Sequence, residues 1–172
     1  MKAKDPRMGT VILGFDGLFF AFTSIILIRK LPRKWIFVGG HFGVGVAWLL
    51  VAYFNYIEYE MGVILSMNMF MVFYINSSGT LAWVYAAETC IDAGIGVVIM
   101  SIYVNVIYLA IICPIILEPT VLGPSYVFLG MSALSFLGSI YCGVWMKETK
   151  GLTDQEKKEV YFPNEIKKVM IK

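Results

Sequence analysis

Residues 93–117 read AGIGVVIMSIYVNVIYLAIICPIIL, a run of 25 residues without a single charge. A bilayer core takes roughly 20 consecutive apolar residues as a helix, so this run reads as a membrane span by itself. Its surroundings have the same character. From Trp35 to Met146, 112 residues, there is no Lys or Arg, and the only charges are Glu58, Glu60, Glu88, Asp92 and Glu118. The whole chain of 172 residues is 59% hydrophobic and 15% charged, with a mean hydropathy of +0.75. Soluble domains run near 45–50% apolar and about 25% charged. No water-facing surface can be built from this composition, which excludes soluble enzymes and free nucleic-acid binders.

Five stretches are long enough to cross: Met8–Ile28, Trp35–Tyr56, Met61–Ala87, Ala93–Leu117 and Ser125–Met146. The connections between them are short and hold the turn chemistry, such as Pro32 in Arg29–Lys34 and Pro119, Gly123 and Pro124 in the last one. The strict alternation of a barrel strand is missing. The expected fold class is therefore all-α and integral to the membrane, with five transmembrane helices in residues 1–146 and a charged tail over 147–172. Pro114 should kink the fourth helix, which membrane helices tolerate. Arg29–Lys34 and the tail share one side and hold 11 basic residues, while the N-terminal segment on the other side holds 3. The positive-inside rule predicts a cytoplasmic C-terminus, or a matrix one in mitochondria. The apolar run after the basic Met1–Arg7 is nearer a full span than a signal-peptide core. A short amphipathic helix is expected after Thr153, interrupted by Pro163.

Local motifs then give a family resemblance. After the last span the chain reads Lys147-Glu148-Thr149-Lys150-Gly151-Leu152-Thr153, which resembles the P-E-T-K-G-L/R signature of sugar porters, a family within the major facilitator superfamily. Gly79-Thr80-Leu81-Ala82-Trp83, with Glu88 five residues on, is similar to the family's tenth helix, G-P-x-P-W-x-x-x-x-E. Arg29-Lys30-Leu31-Pro32-Arg33-Lys34 stands where the family has D/E-R-x-G-R-R, and Gly123-Pro124-Ser125-Tyr126-Val127-Phe128 resembles the start of helix twelve. The five spans then correspond to helices eight to twelve, half of a major-facilitator-type bundle. The pattern is degenerate. Ile28 replaces the loop acid, Leu31 its Gly and Pro32 an Arg. Thr80 and Ala82 replace two prolines, Lys147 a third, and Ile95 stands in place of an Arg.

The resemblance implies two sets of site residues. Trp83 and Asn105 match sugar contacts, although Val106 stands where glucose carriers have a Trp. At the face with the basic loops, Arg29, Arg33, Lys34, Glu88, Asp92, Glu148 and Lys150 match a charge latch, and Glu88 is expected to meet Arg29, Arg33 or Lys34. Read from the residues alone, Trp83 also suits core or interface filling. Asp16, an acid inside the first span, suits a structural pairing or a headgroup position. His41 suits packing, and Gly39 with Gly43 a close-approach helix face. Asn76-Ser77-Ser78 matches a glycosylation sequon but lies mid-span, where interhelical hydrogen bonds are the expected use. Met67, Met69 and Met71 read as adaptable packing. Cys90, Cys113 and Cys142 have neither disulfide nor metal spacing. No nucleophile, acid–base pair, metal site or cofactor motif occurs, so an enzyme is not expected.

Alternating access needs two bundles rocking about a site built from both, and five helices of one bundle lack the second wall. The expectation is a non-catalytic accessory subunit of a larger membrane complex, in contact with other membrane subunits and lipids. The mitochondrial inner membrane is the first location considered. The alternative is one half of a split carrier for a sugar or other small solute. The polar groups Asn76, Ser77, Ser78 and Asn105 are expected along the face that a partner covers.

Overall fold

The computed structural model describes residues 6–116 and 123–161, with the side chains of 6–10, 12, 13 and 92 left aside. Those residues form only helices: α1 (Pro6–Lys30), α2 (Arg33–Tyr56), α3 (Glu60–Tyr74), a π-helical turn (Ile75–Gly79), α4 (Thr80–Thr89), α5 (Asp92–Ile116), α6 (Pro124–Trp145) and α7 (Asp154–Lys158). Four segments are long and apolar enough to cross a membrane: α2, α3 through α4 as one unit, α5 and α6. Helix α1, with 25 residues, reaches about 37 Å at 1.5 Å per residue, the length that the expected first span needs. The charges Lys2, Lys4, Lys167, Lys168 and Lys172, which entered the sidedness argument, lie outside the described residues, as do Glu118 and Pro163.

Helix α2 is the hub, packing mainly against α6 and α3. Its glycines permit this. A Cβ on Gly40 would strike the Ser77 side chain, one on Gly43 the Phe73 ring, and one on Gly45 would come within 2.9 Å of Phe136. Gly39 has open space around it, so the close approach to the third span is made at Gly40 and Gly43 rather than at Gly39 and Gly43, and Gly45 makes a separate one to α6. Serines of α6 lock that second contact: Ser132 Oγ donates to the Gly45 carbonyl at 2.7 Å and Ser139 Oγ to that of Val38 at 2.9 Å. Trp48 stacks on Phe128 with centroids 5.3 Å apart. Helix α6 starts on Pro124 at a first-turn position, after Gly123 at φ +82°, a conformation that glycine adopts at no steric cost.

The third span differs from an uninterrupted helix over Met61–Ala87. It opens into a π turn at Ile75–Gly79, just ahead of Thr80 and Ala82, where the family pattern carries prolines. Side chains here compete for the backbone: Asn76 Nδ2 donates to the Val72 carbonyl and Ser77 Oγ to that of Phe73. The expectation that Asn76, Ser77 and Ser78 lie along an outward face is corrected. Asn76 Oδ1 accepts from Thr23 Oγ1 of α1 at 2.9 Å, Ser77 is fully buried, and Ser78 Oγ lies 3.4 Å from His41 Nε2. Polar atoms in a bilayer are satisfied inside the bundle wherever a partner helix is near, and α1 and α2 are near. Helix α5 stands apart, with none of its most apolar 18 residues buried. The helix runs through Pro114 to Ile116.

Candidate functional site

The charged residues converge at one end of the bundle, where α1 ends, α2 begins, α4 ends and α6 runs into the tail. Arg33 Nη2 donates to Glu88 Oε1 at 2.7 Å and Arg33 Nε to Oε2 at 2.9 Å. This two-pronged geometry suits a guanidinium on a carboxylate, and both side chains are only 15% exposed. Glu88 Oε2 also accepts from Thr149 Oγ1 at 2.8 Å, and Lys157 Nζ lies 3.6 Å from Oε1. Hydrogen bonds to charged groups contribute roughly 1.5–3 kcal/mol net when shielded from water, so this acid joins α2, α4 and the tail with substantial strength.

Glu148 plays a different part. Its carboxylate accepts from the backbone N–H of Arg33 (3.0 Å) and Lys34 (3.0 Å), and from those of Thr149 (3.1 Å) and Lys150 (2.8 Å). Arg33 and Lys34 open α2, whose N-cap residue, Pro32, offers no side-chain cap. Free N–H groups and the positive end of the helix dipole favour an anion at that point. Lys150 Nζ meanwhile donates to the Lys30 carbonyl at the C-terminal end of α1, at 2.7 Å, the end where a cation is favoured. The segment Glu148–Lys150 therefore staples the α1–α2 corner, an acid on one helix end and a base on the other.

Of the residues assigned to the latch, the structure brings Arg33, Glu88, Glu148 and Lys150 together, and Lys34 takes part through its backbone. Arg29 is exposed and forms no ion pair among the described residues. The Asp92 side chain lies outside the described set. Four further residues join that the sequence reading did not assign. Thr149 is fully buried beneath Glu88, Lys157 comes from α7, and Tyr85 bridges to the tail. Tyr85 Oη donates to the Lys147 carbonyl at 2.7 Å and lies 2.6 Å from Tyr161 Oη. Only Thr149 carried a visible signal, its place inside the Glu148–Gly151 motif.

The second candidate pair lies in the open. Trp83 is 46% exposed on α4, and Asn105 is exposed on α5 with its side-chain amide donating to the Ser101 carbonyl. Neither lines any of five well-formed hollows among the described residues. Asp16 is half-buried on α1, and its expected pairing to a neighbouring polar group does not occur among the described residues. His41 Nδ1 lies 3.0 Å from the Phe37 carbonyl, and its ring fills the space beside Gly138. Chemically, the arrangement holds ion pairs at one end of the bundle. No cluster of three metal-ligating side chains occurs among the described residues.

Comparison with known proteins agrees with the geometry. A family model described as sugar (and other) transporter matches residues 1–161. A putative metabolite transport protein of Bacillus subtilis, YwtG, is 24% identical over 158 residues, covering 87% of this chain and 34% of that protein. The glucose transporter GlcP of Staphylococcus epidermidis is 23% identical over 160 residues, covering 87% and 35%. Among solved structures, the inward-open xylose transporter XylE from E. coli superposes with a TM-score of 0.81 at 18% identity, over 90% of this chain and 36% of that one. A double tryptophan mutant of XylE gives 0.83. The chain spans about a third of the length of these proteins.

Proposed function

Taking as premise that the chain belongs to the sugar (and other) transporter family, we propose that it serves as a non-transporting structural subunit of a larger membrane assembly. The reading rests on where the mid-span polar groups point. Asn76, Ser77 and Ser78 hydrogen-bond inside the bundle, and Trp83 and Asn105 share no hollow with them. Outward lie apolar faces of α1, α5 and α6, the least covered being that of α5, with Val97, Met100, Tyr103, Val104 and Ile107 each more than half exposed. That face suits protein contact, where van der Waals packing between helices drives association. A polar solute finds few groups there to replace its water. The location this reading carries is an energy-transducing membrane, the mitochondrial inner membrane first, with the C-terminus on the matrix or cytoplasmic side. Purifying the native chain in mild detergent and identifying its companions tests it. A many-subunit complex is expected, and recovery of the chain alone with sugar flux in liposomes would overturn it.

One observation favours a second reading, half of an alternating-access carrier for a sugar. The latch keeps a two-pronged Arg33–Glu88 pair at a membrane face, the kind of contact a rocking bundle makes and breaks. On that reading Trp83 and Asn105, both exposed, contact sugar once a second bundle closes over them. Flux lost on Trp83→Ala in a reconstituted pair of halves would favour it.

A further inference from the structure

A hollow of about 670 Å3 opens at the latch face among the ends of α2, α4, α5 and α6. Ala82, Ala86, Val98 and Cys142 give it an apolar wall, and its polar groups include Tyr85, Tyr161 and Lys147 at the tail end. From Ala82 to Thr89 the wall follows α4 for about two helical turns, roughly 10 Å. Lys147 Nζ donates one hydrogen to the Val160 carbonyl at 2.9 Å and lies 5.4 Å over the Tyr161 ring. It pairs with no carboxylate among the described residues. An ammonium has three donors, so two are left for an oxyanion. Tyr141 and Trp145 also line the hollow, stacked 5.2 Å apart and both 61% exposed, an aromatic pairing typical of the headgroup level.

We propose that this hollow holds an acyl chain of an anionic phospholipid from the surrounding leaflet, with its phosphate met by the two free ammonium hydrogens of Lys147. An apolar slot that ends in a cation at headgroup depth matches an amphiphile carrying its own counter-charge, and basic pockets between spans on the positive side take such headgroups. A protein helix in the same place would set Lys147 against an apolar surface.

The test titrates the purified full chain with phosphatidylglycerol and with phosphatidylcholine of the same acyl chains, counting retained lipids by native mass spectrometry. Phosphatidylglycerol should be retained at a concentration about fivefold lower, the factor one lysine contributes near an anionic lipid. Lys147→Gln should abolish that preference and Lys158→Gln should keep it. Ala86→Phe should weaken retention of both lipids. Should Ala86→Phe fail to fold, alkylation rates decide in the unaltered chain: phosphatidylglycerol should slow labelling of Cys142 and leave Cys113, which lines a different hollow, unchanged. Equal retention of the two lipids, loss of preference on Lys158→Gln, or unprotected Cys142 would overturn the proposal. A polypeptide cross-linked into the hollow in native membranes would overturn it too.

Discussion

Glu148 accepts four backbone N–H groups, two of them at the start of α2. Removing a carboxylate so placed leaves several donors unsatisfied, so Glu148→Ala should lower unfolding stability in detergent by about 2–3 kcal/mol. Glu148→Gln should cost about half as much, because it keeps an acceptor oxygen and loses only the charge. Thermal melts of the two variants check the ranking, and equal losses would mean that the charge contributes nothing. Glu58 takes φ 57° in the α2–α3 turn, a conformation costing an L-residue about 1–2 kcal/mol. Glu58→Gly should therefore raise stability by up to about 1 kcal/mol in the same melts, after the entropy glycine adds to the unfolded chain. Arg33 on Glu88 was legible beforehand because a chain so poor in charge leaves an interfacial acid few partners. The role of Glu148 was not legible, since its partners are backbone amides 115 and 114 positions away and no side-chain pattern marks an amide as free.

At the scale of elements, the spans follow from charge-free runs, and their ends from Pro32, Gly123 and Pro124. The π turn was hidden for a physical reason: Asn76-Ser77-Ser78 reads equally well as a polar stripe on a regular helix. What selects the turn is the approach of Gly40, whose missing side chain leaves room for Ser77. Gly40→Ala should cost about 1–3 kcal/mol by overpacking, and Ser77→Gly should recover a good part of it in the double variant. Gly39→Ala, facing open space, should cost nothing measurable. Equal effects at Gly39 and Gly40 would refute this packing. The tail helix α7 is closed by a capping box in which Glu156 accepts from the backbone N–H and the hydroxyl of Thr153. These bonds hold the Glu156 carboxyl below its ordinary value of 4.5. A carboxyl so lowered supports the helix above the ordinary range and withdraws support as pH falls through its folded value. Amide protection in α7 should thus stay level from neutral pH to about 4.5 and fall below that, and Glu156→Gln should flatten the profile.

For the whole molecule, the decisive contrast is between α2, half of whose most apolar 18 residues are buried, and α5, where the fraction is zero. Apolar faces toward lipid and toward protein look alike in composition, which is why sequence could count the spans without telling which one lies bare. The proposed protein cover on α5 makes the two separable by experiment. A lipid-phase photoprobe in native membranes should label Leu137→Cys on α6 several-fold more than Val104→Cys on α5, although both positions are more than half exposed in the isolated chain. Equal labelling would mean that α5 faces lipid and has no protein cover. The staple at Glu148 and Lys150 has one more consequence, in time. The corner it closes is built early, while the closing residues are synthesised about 115 positions later. At roughly 5–20 residues per second on the ribosome, the first helical hairpin waits about 6–23 seconds with its amide and carbonyl ends open. Until the closing residues emerge, that corner is exposed to chaperones and proteases, so synthesis itself sets the order in which the fold becomes secure.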